Sequence, residues 1–214
     1  MIALLLAAAA SLPSAIDAER AFAADAQRIG QWSAFRKYAD ADAVMFTPQA
    51  VWARDFLKDR KDPPASVRWW PERSFVSCDG RTAVNSGPAI TANGKPYGIF
   101  TTVWQREKKK WAWIYDNGQP LKVAPKRRAP PRVTRASCKG AAPGAPVIPP
   151  PALTAKQART TPEDSGRGHS SDKTLGWDWR VEKNGDHHFR VYLWNGARYA
   201  QVIYNNVPAS VPAK

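Results

Sequence analysis

Histidine and cysteine are scarce in this 214-residue chain, at three and two residues. His187 and His188 are neighbours in an alternating, strand-like stretch, so their side chains point to opposite faces. His169 stands alone. A zinc-type centre needs a cluster of His, Cys or carboxylate ligands, so neither a metal nor a cofactor is expected. There is no glycine-rich phosphate loop and no Ser–His–Asp pattern with supporting spacing, which removes two more classes of site. Cys78 and Cys138 do not have zinc-motif spacing. In an oxidising compartment such an isolated pair forms one disulfide. The other reading is two unrelated thiols, one buried in a strand and one in a loop, and the sequence leaves both open.

Acidic residues are missing altogether from residues 117–162, while nine Lys and Arg residues fall there: Lys122, Lys126, Arg127, Arg128, Arg132, Arg135, Lys139, Lys156 and Arg159. Most of the net charge of +14 therefore sits in one low-complexity stretch, and the rest of the chain is near balance. "APKRRAPPRV" and "APGAPVIPPP" favour extended polyproline conformation and cannot build a core. Residues 122–165 read as a Pro/Arg/Lys-rich linker or strap. No aromatic residue interleaves its basic run, so a stacking platform for single strands is absent and no nucleic-acid partner is expected. Basic side chains alone suffice for contact with a polyanion, so residues 122–139 are the candidate contact with an anionic envelope surface.

Long apolar runs are also missing. Ile2–Ala10 is unbroken but too short to span a bilayer. Small residues follow it, with Pro13-Ser14-Ala15 as the cleavage region. Residues 1–15 thus read as a secretory signal peptide, and the expected location is periplasmic or secreted.

Apolar and aromatic residues are plentiful, at 43% and 11%, and support a core. Asp17 can cap a helix. Phe22, Ala26 and Ile29, then Trp32, Phe35 and Tyr38, recur at helical spacing around Gly30. The pattern predicts helix, kink, helix over about 17–39. "QAVWARDFLKDRKDPP" reads as a further short helix that Pro63-Pro64 ends. From Val67 the period becomes that of strands. Asp79-Gly80 and Asn93-Gly94 are hairpin turn signals. "YGIFTTVWQRE" and "WAWIYDNG" form a hairpin around Lys108–Lys110. Simple alternation puts Trp111, Trp113 and Tyr115 on one face, and Gly98, Phe100, Thr102 and Trp104 on another. After the strap, residues 174–207 carry three alternating segments separated by Asn184-Gly185 and Asn195-Gly196. They predict a three-stranded β-meander, too small to be stable alone and expected to pack on the first domain. The helices-then-strands order gives an α+β fold.

"AERAFAADAQRIGQWSAFRKYADADAVMFTP" and "YGIFTTVWQREKKKWAWIYDNG" carry a resemblance. Residues 17–121 resemble the NTF2-like superfamily, in particular its SnoaL-like and DUF4440-like members. The resemblance implies a cone: helices packed in a curved antiparallel sheet, with a cavity at the open end. It also implies a homodimer through the open sheet face. In enzymes of this kind a base Asp precedes a Pro after the second helix. Here the matching dipeptide is Thr47-Pro48, and threonine cannot serve as that base. The acid–base candidates left are Asp42, Asp116 and Tyr38. The aromatic candidates for a ligand cavity are Tyr38, Trp69, Trp104 and Tyr115. The expected function is therefore non-catalytic: binding of a small apolar or aromatic ligand, or self-association. Two alternatives stand beside it. One is an isomerase, cyclase or hydratase that uses a cavity carboxylate. The other is an envelope interaction module working through the strap.

Overall fold

The computed structural model describes residues 12–47, 49–91, 94, 97–124, 130–140, 142 and 165–209. Residues 1–11 of the expected signal segment and most of the strap lie outside the described residues. The chain runs α1 (Ala15–Ile29), α2 (Gln31–Tyr38), β1 (Ala39–Phe46), β2 (Ala50–Trp52), α3 (Ala53–Leu57), β3 (Arg68–Trp69), β4 (Arg73–Val76), β5 (Thr82–Ile90), β6 (Tyr97–Glu107) and β7 (Lys110–Leu121). It continues with β8 (Arg132–Arg135), β9 (Ser165–His169), β10 (Leu175–Val181), β11 (His187–Trp194) and β12 (Tyr199–Val207).

The cap of α1 is Ser14, one turn before the expected Asp17. Ser14 Oγ accepts from the Asp17 amide at 3.2 Å, and Asp17 Oδ2 accepts from the Ser14 amide at 3.0 Å, a capping box. Trp111 Nε1 donates to the Pro13 carbonyl at 2.8 Å, and Ala15 and Ile16 are buried. The expected 1–15 boundary therefore cuts into the helix start: a chain trimmed after Ala15 would lose its cap. Gly30 makes the kink at φ +99°, where the Asp62 carboxyl occupies the space a Cβ would need. Asp62 in turn accepts from Ser33 N and Ser33 Oγ, at 3.0 and 2.6 Å, and caps α2 from a distance.

Among the described residues two sheets form, in the orders β2-β1-β7-β6-β5-β4-β8, with β3 beside β5, and β12-β11-β10-β9. The helices pack on one face of the large sheet, where Phe22, Ala26, Ala34, Leu57, Trp69, Phe100, Trp104, Trp111 and Trp113 are buried together. The small sheet packs on the opposite face, with Val84, Val103, Tyr115, Trp177, Trp179, Phe189 and Val191 between the sheets. The fold is the expected α+β class, helices held against a curved, mainly antiparallel sheet, with a further β layer behind.

Three expectations change in detail. The carboxy-terminal unit has four strands, not three, because "SGRGH" adds β9 to β10. Its glycines hide it from any apolar alternation, yet they are required: a Cβ on Gly166 or Gly168 would meet the rings of Trp179 or Trp177 at 2.5 and 2.2 Å. The strap contributes β8, which pairs in parallel with β4, and Cys138 is bonded to Cys78. The third change lies in β7. Trp113 pairs with Trp104 and Tyr115 with Val103, so Ile114 is an extra residue, a bulge. Alternation reverses there. Trp104, Trp111 and Trp113 all face the helices, while Tyr115 faces the small sheet and stacks on Phe189 at 4.3 Å.

Candidate functional site: a carboxylate interior

The helix-side face of the sheet holds two acidic residues. Glu19 occupies the buried stripe of α1, between Ala15 and Ala18 on one side and Phe22 and Ala26 on the other. It is 0% exposed. Trp69 Nε1 donates to Oε1 at 2.8 Å, while Trp104 Nε1 and Asn85 Nδ2 donate to Oε2 at 2.6 and 3.2 Å. Burial pushes its pKa from 4.5 up to about 7, against the pull of these three donors, and the charge of Asp116 adds to the rise.

Asp116 is on the same face, because the bulge at Ile114 turns it inward. Thr102, its register partner on β6, donates through Oγ1 to Asp116 Oδ2 at 2.9 Å. Met45 is its partner on β1. The residue as a whole is half-buried, and Thr102 is the side-chain donor to its carboxylate among the described residues. Burial still raises its pKa from 3.8 to about 7, opposed by the Thr102 hydrogen bond. Asp116 is thus a desolvated carboxylate on a residue of intermediate exposure, whereas Glu19 is sealed.

The other expected site residues are dispersed. Asp42 is exposed on β1. Tyr38 packs its ring against Phe22 and Trp104, but its hydroxyl donates to Asp25 Oδ2 at 3.0 Å. Asp25 is also bound by Lys37 and Arg28, and these contacts, Lys37 first, hold it at about 2. The Tyr38 hydroxyl is therefore tied to a surface ion-pair cluster and does not face Asp116. Trp69 and Trp104 are buried, and their indole N–H groups both donate to Glu19. Tyr115 packs on the other side of the large sheet, between it and the small sheet, for the reason given above. His187 lies between the sheets, stacked on Phe46 at 4.1 Å, and His188 faces outward beside Tyr204.

Sequence reasoning missed Glu19. The signal was available: a glutamate in the middle of the i, i+3, i+7, i+11 stripe that also carries Ala15, Ala18, Phe22 and Ala26. A charge on the buried side of an amphipathic helix needs buried partners.

The molecule defined by this fold and interior is an α+β protein with a helix-lined, carboxylate-bearing interior. No protein-family model matches the chain, and no curated protein matches it either. Among solved structures it is similar to an NTF-2 like protein of unknown function from Shewanella oneidensis, with 13% identity over 46% of this chain and 91% of that one, at a TM-score of 0.39. It is also similar to the CamKII hub homology domain of Chlamydomonas reinhardtii, with 22% identity over 51% of this chain and 100% of that one, at a TM-score of 0.38.

Proposed function

We propose that this is an exported ligand-binding protein, with Asp116 as the polar anchor for a small, largely apolar or aromatic molecule held on the helix side of the sheet. The observation that carries this reading is the carboxylate of half-buried Asp116, bound once by Thr102 and set on a face otherwise made of Met45, Phe100 and Trp113. Pockets that combine apolar walls with one or two convergent polar groups are the usual form of small-molecule sites. An Asp poised near neutral pH accepts a hydrogen bond or a cationic group when ionised and donates when protonated.

Turnover has less support. A pKa of about 7 suits an acid–base residue. Yet the titratable groups nearby are otherwise engaged: Asp42 is exposed, Tyr38 donates to Asp25, and Glu19, which feels the charge of Asp116, is enclosed by three donors. Self-association through the open face of the large sheet has less support too, because β9–β12 cover that face. The Cys78–Cys138 bond accords with an oxidising compartment, and so with export.

Native mass spectrometry on protein isolated from the periplasm, without reductant, tests the reading. A co-purified small molecule is expected in the wild type, lost in Asp116→Asn and retained in Asp42→Asn. Equal retention by both variants, or an empty wild type, would sink it.

A further inference from the structure

Strands β9–β12 repeat the geometry of β4–β7. In β4–β7 one cross-strand row runs Phe75, Val84, Val103, Tyr115. In β9–β12 the corresponding row runs Gly168, Trp177, Val191, Ile203. The first turns share one hydrogen-bond pattern. Ser77 Oγ donates to Asp79 Oδ1 at 2.6 Å and accepts from Thr82 N at 3.1 Å. Ser170 Oγ donates to Asp172 Oδ1 at 2.6 Å and accepts from Leu175 N at 3.1 Å. Positive φ falls at equivalent places, Gly80 with Lys173 and Lys108 with Gly196. The bulge recurs too. Ile114 is the extra residue of β7, next to the pair Trp104–Trp113, and Val202 is the extra residue of β12, next to the equivalent pair Tyr192–Gln201. A bulge is a position-specific feature that redirects its strand. Its recurrence in the same register, with the same turn, marks an internal repeat and not merely two sheets of similar shape.

The two copies pack face to face, and their contacts are reciprocal. Tyr115 stacks at 4.3 Å on Phe189, the equivalent of Thr101. Asn205, the equivalent of Asn117, donates to Thr101 Oγ1 at 2.9 Å. Thus β7 meets β11 as β12 meets β6. Between the first turns, equivalent residues meet each other, with the Asp79 N–H donating to Asp172 Oδ2 at 2.7 Å. Reciprocal contacts of this kind define a two-fold, isologous interface. We propose that the face of the large sheet covered by β9–β12 is a homotypic docking surface whose partner is another β4–β7 meander, and that the intact chain supplies this partner from its own repeat. A tethered repeat acts at a high effective concentration. The chain therefore stays monomeric while the repeat is seated and pairs with a second copy when it is displaced. The outer face of the repeat suits this role. Asn85 of the first meander donates to Glu19 of α1, whereas its equivalent, Asp178, accepts from Arg190 Nε at 2.8 Å on the repeat itself and calls for no helix. The docking surface lies on the opposite side of the sheet from Asp116, so it does not rest on the ligand-binding reading.

Sedimentation velocity on the full, non-reduced chain is the test. The wild type is expected to stay monomeric into the high micromolar range. Phe189→Ala removes the buried ring that seats on Tyr115 and leaves the first meander untouched. Truncating a buried Phe raises the unseated population roughly a hundredfold or more, so a dimer is expected at concentrations where the wild type shows none. Two Phe189→Ala chains are then mixed, one carrying Thr101→Cys and the other Asn117→Cys. They should form a disulfide-linked dimer, because Asn117 of one copy takes the place of Asn205 opposite Thr101 of the other. Should Phe189→Ala fail to fold, Val191→Ala is a smaller truncation in the same inter-sheet layer and is read in the same way. A folded variant that stays monomeric throughout would overturn the proposal. So would a dimer that this cysteine pair does not link, or a wild type already dimeric at low micromolar concentration.

Discussion

Replacing Glu19 with Gln isolates the consequence of burying a carboxylate in this interior. The wild-type group titrates near 4.5 unfolded and at about 7 folded. As pH rises, the unfolded chain releases this proton first. Its contribution to stability is therefore fully present below 4.5 and is lost as pH passes through about 7. That difference corresponds to roughly 3 kcal/mol, of which roughly 2 to 3 kcal/mol falls between pH 5 and pH 8. Glutamine fills the same space but cannot ionise. Its amide also turns a donor toward Trp69 or Trp104, leaving one buried N–H unpaired at about 1–3 kcal/mol. Glu19→Gln should therefore be less stable than the wild type at pH 5, and the gap should close or reverse by pH 8. Urea unfolding followed by tryptophan fluorescence at several pH values reads both curves. Other groups act in the same window, Asp116 and His187 among them. Asp116 shifts in the same direction as Glu19. His187, lowered by burial from 6.5 to about 4, works oppositely, its contribution being present above 6.5 and lost as pH falls toward 4. The diagnostic quantity is thus the difference between variant and wild type, not the shape of either curve. Parallel curves from pH 5 to pH 8 would refute the claim that Glu19 is the buried titrating group.

Replacing Cys78 and Cys138 together with Ser opens a loop of 60 residues and should cost roughly 4 kcal/mol on the chain-entropy account, read as a lower urea midpoint than that of the non-reduced wild type. Gly168→Ala drives a methyl into the Trp177 ring and should cost about 1–3 kcal/mol, with a changed near-ultraviolet circular dichroism signal; an unchanged signal would show that β9 does not lie under that ring. Ser14→Ala removes the α1 cap and should cost about 1 kcal/mol in urea unfolding, where no loss would show the cap to be idle. Amino-terminal sequencing of exported protein should find the first residue at or before Pro13, since a later start removes the carbonyl that Trp111 binds and the Ser14 cap.

Much of the element list was legible because it rests on local rules. Helical spacing around Gly30, the Asp79-Gly80 turn and the two Asn-Gly turns of the carboxy-terminal unit each reflect backbone geometry that neighbouring residues impose. β9 was not legible, since two glycines in a five-residue strand carry no periodicity; the indoles of Trp177 and Trp179 require them from across the sheet. β8 was not legible either, because an arginine-rich strand becomes a strand only when β4 offers it a ladder. The site was half legible. Asp116 stood out as a candidate, but its inward direction depends on one extra residue, Ile114, that alternation could not reveal.

The sequence by itself determined the α+β class, the separation of a basic, proline-rich strap from the folded parts, and the presence of an unusually aromatic sheet. These follow from composition and period, which act over a few residues. Only the tertiary structure decided which tryptophans serve Glu19, that Tyr115 belongs to the second sheet and Asp116 to the interior, and that the strap adds an edge strand held by a disulfide. Those outcomes depend on register and on contacts between residues 50 to 96 positions apart, such as Trp69 with Glu19 and Cys78 with Thr174, which no local pattern encodes.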